Sequence, residues 1–248
     1  MPTVGVLHPG EMGSALASLL RERGLTVLWA SEDRSAATAE RAAALEDAGT
    51  AGELAGRSDV ILSVCPPHAA LEVAESAGAF GGLYVDANAI SPATARSLPG
   101  RVVDGGIVGP PPRTPGTTRL YLSGPDAGSV AELFAGTALE TPVVSDRVGD
   151  ASAVKMAYAA WTKGTAALLL AIRKLARAEG VEHTLLAEWA RSQPRLEDAS
   201  ARAARAAEAK GWRWVGEMEE IASTFAADGL PAGFHEAAAE IFRRGGLR

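Results

Sequence analysis

Val4-Gly5-Val6-Leu7-His8-Pro9-Gly10-Glu11-Met12-Gly13 decides how the rest of the chain is read. Val4 to Leu7 is a short apolar run, the pattern of a strand buried on both faces of a parallel sheet. A turn follows at once, and Glu11 to Leu20 then opens with helical apolar spacing. Strand, turn and helix N-terminus bring free backbone N–H groups and the positive end of the helix dipole to one point, which makes an anion site. In the fingerprint G-x-G-x-x-G the second glycine lets backbone approach a pyrophosphate, and the third lets helix and strand pack closely. Gly10 and Gly13 stand at those two places, whereas His8 falls on the first glycine. Pro9 pushes His8 toward an extended backbone, so the turn is expected to be made differently here. His8, Pro9, Gly10, Glu11 and Met12 are the first candidate cofactor contacts; a plain tight βα turn is the alternative.

At 248 residues the chain can bury a full core and hold one large or two modest domains. A hydrophobic content of 47% and a charged content of 22% describe a globular protein rather than a disordered one. The net charge of -6, with no basic run, argues against nucleic acid or an anionic membrane as partner. Cys65 is the only cysteine, which excludes an intramolecular disulfide and a cysteine metal site. A reducing, cytoplasmic setting fits. Met1-Pro2-Thr3 leads straight into the first strand, without a signal peptide's basic start and apolar segment.

Working outward, strands are expected at 26–29, 59–64, 83–86 and 101–104, with others near 120–123 and 142–144. Helices are expected at 36–48 and 126–135. Alternation through about Ser145 predicts an α/β doubly wound, Rossmann-type domain. The residue after the second strand of such a domain meets the adenosine ribose. Here that point is Ala30-Ser31, with Glu32-Asp33-Arg34 beyond. Small Ser31 and nearby Arg34 favour the extra phosphate of NADP, while Glu32 and Asp33 keep NAD possible. Val64-Cys65-Pro66 leaves the strand at 59–64 on the ligand face, with Cys65 read as a small hydrophobe rather than a nucleophile. Asn88 and Ser91 follow the next strand, Ser91 also suiting an N-cap before Pro92. After Asp104, Gly105-Gly106-Ile107-Val108-Gly109 reads as a loop exposing backbone N–H groups.

The pattern then changes, with the division placed at 1–147 and 148–248. The second part reads as all-helical, with segments at about 150–178, 182–192, 197–210, 215–227 and 233–243. Asp150 or Ser152 is expected to cap the first of these. Its middle, Thr165 to Ile172, is apolar on every side, and a second copy of the chain is expected to cover it. Lys155, Tyr158 and Thr162 share one face of that helix as a polar stripe. Lys163 points off that face. Trp212 and Trp214 offer walls for an apolar pocket, or ordinary core packing. No residue set has metal or hydrolase spacing.

Four segments in order, G-V-L-H-P-G-E-M-G, V-D-A-N-A-I-S-P, D-G-G-I-V-G-P-P-P and G-D-A-S-A-V-K-M-A-Y, resemble the β-hydroxyacid dehydrogenase and 6-phosphogluconate dehydrogenase superfamily. K-M-A-Y-A-A-W-T-K-G and R-W-V-G-E-M-E-E-I-A are similar to a 6-phosphogluconate dehydrogenase-like branch. The resemblance implies a Rossmann domain followed by an all-α C-terminal domain, NAD(P) as cofactor, and homodimers joined through the long helix. It implies that Lys155 is the catalytic acid–base, that Asn88 and Ser91 lie by the cofactor, and that Gly105 and Gly106 belong to the substrate loop. Tyr158 as the lysine's neighbour, and Ser91, Thr162, Trp212 and Trp214 as substrate contacts, are the further candidates from the reading of the residues themselves. His8, Ala159 and Tyr158 depart from the superfamily's pattern. The expected reaction is hydride transfer between NADP(H) and a small hydroxy or keto compound; the alternatives are imine reduction and an inactive NADP-binding protein.

Overall fold

A computed structural model describes residues 1–245. The chain divides into two compact units, Met1–Lys155 and Met156–Arg248. The first unit opens with β1 (Val4–Leu7), α1 (Glu11–Glu22), β2 (Val27–Trp29), α2 (Ala36–Ala42) and β3 (Glu46–Asp47). It continues through α3 (Ala51–Arg57), β4 (Val60–Ser63), α4 (Ala70–Ser76), β5 (Leu83–Asp86) and α5 (Pro92–Ser97). β6 (Arg101–Val108), β7 (Thr118–Ser123), α6 (Ala127–Leu133), β8 (Leu139–Glu140) and β9 (Val143–Ser145) complete the sheet.

The strand order is β3-β2-β1-β4-β5-β6-β7-β8, with β9 also on β7. β3 through β6 run parallel, and β7 turns antiparallel to β6. The order reverses between β1 and β4, so the crevice at their carboxyl ends is the switch point where open α/β sheets bind ligands. Successive side chains point to opposite faces. Val4, Val6, Leu62 and Val85 therefore pack with Leu16 and Leu20 of α1, while Leu7, Leu28 and Ile61 pack with Leu54 of α3. Both faces are covered: the domain is doubly wound.

Three boundaries differ from expectation. α2 stops at Ala42 rather than Ala48: Leu45 turns into the core, and Glu46-Asp47 pairs with β2. Helix α3 lay in a stretch with no element assigned, although Thr50 and Glu53 form a capping box that the sequence T-A-G-E signals. Gly105 and Gly106 sit inside β6, opposite Leu122 and Tyr121, not in a loop.

The helices that follow are α7 (Asp150–Ala178), α8 (Glu182–Ser192), α9 (Leu196–Ala227) and α10 (Gly233–Arg243). α9 is one helix of 32 residues where two were expected. Gly211 does not break it: a Cβ there would stand 3.9 Å from Phe242 Cδ1, an ordinary contact, and the packing of α9 on α10 outweighs the ~1 kcal/mol that glycine costs in a helix. Met218, Ile221 and Ala222 of α9 and Ala238, Ala239 and Phe242 of α10 are all buried. Lys163 of α7 is paired with Glu217 of α9 at 2.5 Å, both mostly buried. Arg173 and Arg177 of α7 share Glu182 of α8. Among the described residues no helix is long and apolar enough to cross a membrane.

Candidate active site

The turn after β1 is built in the way the glycine fingerprint builds it. His8 adopts φ +65°, not the extended backbone expected ahead of Pro9. Its carbonyl accepts from the Gly10 N–H at 2.7 Å, which closes the turn tightly enough to overrule the proline's bias. Gly10 is the N-cap of α1 and supplies no side-chain cap, so the first-turn N–H groups remain available at the carboxyl end of β1. A Cβ on Gly13 would stand 2.9 Å from the His8 carbonyl oxygen, so only glycine lets helix and turn approach this closely. Pro9 is buried, Glu11 exposed, and Met12 packs against the core.

Arg34 follows β2 and is half-buried, with its Nε enclosed and without a hydrogen-bond partner; His8 Nδ1 is enclosed in the same way. Burial, with the Arg34 charge second, pulls the His8 imidazole down to about 4, so the ring is neutral at physiological pH. Ser31 is already bonded to Asp47, whose carboxyl is held low first by the Gly49 N–H and then by Ser31. A glycine cradle beside two enclosed, unpartnered polar nitrogens fits a phosphate-bearing nucleotide.

Next along this edge, Asn88 ties β4 to β5. Its Oδ1 accepts from the Cys65 N–H (2.5 Å), and its Nδ2 donates to Asp86 Oδ2 (2.6 Å) and to Ser63 Oγ (3.2 Å). Full burial pushes the Asp86 carboxyl up to about 7. Burial also pushes the Cys65 thiol up to about 12, which makes it inert as a nucleophile. Val64 is half-buried and Pro66 exposed at the same exit. Ser91 is 2% exposed and caps α5, accepting from the Thr94 N–H at 3.1 Å. Both polar side chains hold strand exits in place, with Ser91 deeper than a surface contact would be.

β6 runs four residues past the level of Asp86, and on this extension lies the most heavily bonded corner of the unit. Asp104 receives the Gly149 N–H (3.0 Å), the Ser152 N–H (2.9 Å), the Ser152 hydroxyl (2.6 Å) and the Ser123 hydroxyl (2.9 Å). The start of α7 is therefore capped by a strand residue, not by Asp150 or Ser152; Asp150 instead accepts from Ser145 and Arg147. A Cβ on Gly106 would meet the Ala151 carbonyl oxygen at 2.7 Å and the Lys155 Cβ at 3.0 Å. That glycine exists for the approach of α7, not for a turn. One turn on, Lys155 donates from Nζ to the Ile107 carbonyl at 2.6 Å. Asp104 and Ser123 were missed as site-building residues because their partners are remote in sequence.

Tyr158 is one turn beyond Lys155 on α7 and 50% exposed; Thr162 is exposed, its hydroxyl bonded back to the Tyr158 carbonyl. Trp212 and Trp214 do not form one wall. Two residues apart on a helix they diverge by about 200°: Trp212 is 72% exposed, whereas Trp214 packs edge-on against Phe242 at 5.0 Å.

Residues 3–89 match the family described as NADP oxidoreductase, coenzyme F420-dependent, and residues 176–245 match a domain of unknown function, DUF1932. An uncharacterized 28.5 kDa protein of Methanothermus fervidus is 33% identical over 142 residues, 54% of each chain. The alignment thus spans about half the length of that relative. Among solved structures, a conserved protein of unknown function reported as similar to 3-hydroxyacid dehydrogenases is 28% identical, with a TM-score of 0.69 over 99% of this chain and 100% of its own. The 3-hydroxyisobutyrate dehydrogenase of Salmonella typhimurium (19%, TM-score 0.68, 98% and 93% covered) shares the fold. So does the Aspergillus terreus reductive aminase solved with NADPH (19%, TM-score 0.60, 100% and 96% covered). The sheet with its reversed strand order, the helical region after it and these matches give the chain the fold of the hydroxyacid dehydrogenases, with a first unit similar to an NADP oxidoreductase family.

Proposed function

We propose that the chain is an NADP-preferring oxidoreductase of the cytosol that moves hydride between NADP(H) and a small hydroxy or keto compound. Lys155 is its general acid–base, with Tyr158 as neighbour. The observation that carries this reading is the bond from Lys155 Nζ to the Ile107 carbonyl. It marks an inward, part-buried lysine of α7 tied to the extension of β6, not a solvated surface charge. The nicotinamide, when bound, supplies or accepts the hydride. In reduction Lys155 gives its proton to the carbonyl oxygen as negative charge develops there; in oxidation the neutral amine removes the hydroxyl proton. Asp104 fixes the start of α7 and so fixes where that ammonium stands. The turn after β1, with Arg34 at the exit of β2, holds the nucleotide's phosphates.

The test is turnover of Lys155→Ala on a panel of hydroxy acids and keto compounds, with NADPH binding followed by tryptophan fluorescence. The expected result is a loss of ~100-fold or more in turnover with nucleotide binding retained. Full turnover in the variant would sink the lysine's role. A cyclic-imine panel run alongside tests the reductase alternative, whose pocket loses its motive now that Trp212 and Trp214 diverge. NADPH binding with no turnover on either panel would leave the non-catalytic reading.

We propose also that the working form is a homodimer. Tyr158, Trp161, Leu168 and Leu175 are exposed by 50, 72, 45 and 62% along α7. Their spacing of three, seven and seven residues is that of a heptad seam, which suits the same helix of a second copy. Sedimentation should show a dimer that Leu168→Lys dissociates; a monomeric parent protein would end this proposal.

A further inference from the structure

The sheet has a second edge, where its parallel strands begin, and a cavity of about 300 Å³ opens there between α5 and the turn that follows β7. Its floor is apolar: Leu98 and Val102 are buried, and Val148 is half-buried beside them. Its polar walls are Arg96, Arg101 and Asp126. Arg101 donates from Nη2 to Asp126 Oδ1 at 3.0 Å, which occupies only part of the guanidinium's row of N–H groups. Arg96 is held in another way. It has no hydrogen bond or ion pair among the described residues, and its head rests on backbone. A Cβ on Gly149 would stand 2.6 Å from Arg96 Nη1 and 3.4 Å from its Cζ, so only a glycine lets the guanidinium lie there. Asp150, the next residue, is taken up by Ser145 and Arg147. The cavity walls therefore carry two positive charges against one negative, in a chain whose net charge is -6. A concave site over an apolar floor focuses such a field, and planar forks of N–H groups match the oxygens of a phosphate or a carboxylate. The turn after β1 lies at the opposite edge of the sheet, so the nucleotide reading does not account for these charges.

We propose that this cavity binds the oxyanion group of a small phosphate monoester or carboxylate. Arg96 is its principal ligand, Arg101 the second, and the floor of Leu98, Val102 and Val148 takes the apolar part of the molecule. Asp126 holds Arg101 in place and sets a ceiling on the affinity, because its own charge opposes the anion.

Calorimetric titration of the full chain with inorganic phosphate and, separately, with succinate tests this, at constant ionic strength and with NADPH present to occupy the other edge. At least one of the two should bind with one-to-one stoichiometry, and the stronger identifies the oxyanion preferred. Arg96→Gln keeps a side chain over Gly149 but not the charge, and should weaken that binding by about tenfold or more, the scale of a hydrogen-bonded contact to a charged group. Asp126→Asn should tighten it, since it removes the opposing charge and leaves an amide of the same size at the rim. Thermal melts of both variants without ligand check that the fold is intact. Binding that neither substitution alters belongs elsewhere on the chain and overturns the proposal, as does the absence of binding by both anions.

Discussion

Asp104 lies level with the last residue of β5, and His8 directly follows the last residue of β1, so both belong to the carboxyl half of one sheet. Asp104 accepts four hydrogen bonds, whereas His8 has an enclosed nitrogen that accepts none. Buried polar groups are costly unless paired. The saturated corner is therefore frame: it holds α7 against β6 and sets the place of Lys155. The unsaturated corner leaves a polar nitrogen without a partner beside the glycine turn, and it is the corner that the proposed nucleotide site would use. Pairing, more than residue type, separates the two.

That contrast can be broken at its strong end first. Asp104→Ala leaves three donors at the start of α7 and the Ser123 hydroxyl without their acceptor. It should cost about 4 kcal/mol in urea denaturation, and lower turnover with it. A loss below about 1 kcal/mol would mean that water replaces the carboxylate and the clamp is incidental.

Acid titration sharpens the comparison next. The Asp86 carboxyl is raised to about 7 in the folded chain, mainly by burial, against about 4 when unfolded. The folded state therefore holds the extra proton between these values, and stability falls as pH rises from about 4 to about 7. Asp86→Asn should remove that slope, on the order of 3 kcal/mol across the window; an unaltered slope would assign it to another group. His8 slopes the other way. Its folded value of about 4 lies below the ordinary 6.5, so its contribution is lost as pH falls from 6.5 toward 4.

The smallest expected change is a gain. His8→Gly should raise stability at neutral pH by about 1 kcal/mol through relief of positive φ, and remove the acid-side loss as well. If His8→Gly destabilises instead, the imidazole is a packing element and the two corners are alike.

The parts of the fold legible in the sequence are those whose causes are local. β1, its turn and α1 announce themselves through an apolar run, two glycines and helical spacing, and α7 is found from its length and its following Gly180. Lys155 and Tyr158 emerge as a pair for the same reason. Glycine misleads because it reads as a break: Gly106 instead admits α7, Gly105 lets the Asp86 carbonyl and Leu120 come close inside the sheet, and Gly211 lies within a continuous helix. Alanine misleads over 43–48, where helix propensity yields to the docking of Leu45 and an added edge strand. The Asp104 clamp was invisible because its helix partners lie 45 and 48 residues away. His8 was misread because a rule about the residue before proline outweighed the demand of the whole turn.

The clamp bears on how this protein can be taken apart. A fragment ending at residue 147 would stop short of Gly149 and Ser152, which donate three of the four bonds to Asp104. Such a fragment leaves the Asp104 carboxylate without those three donors and gives up the stability they supply. A cut after Lys155 keeps the first turn of α7 as a plug for its own strand. Anyone wanting the nucleotide-binding half alone, for crystallisation or labelling, should carry the helix's opening turn along with it.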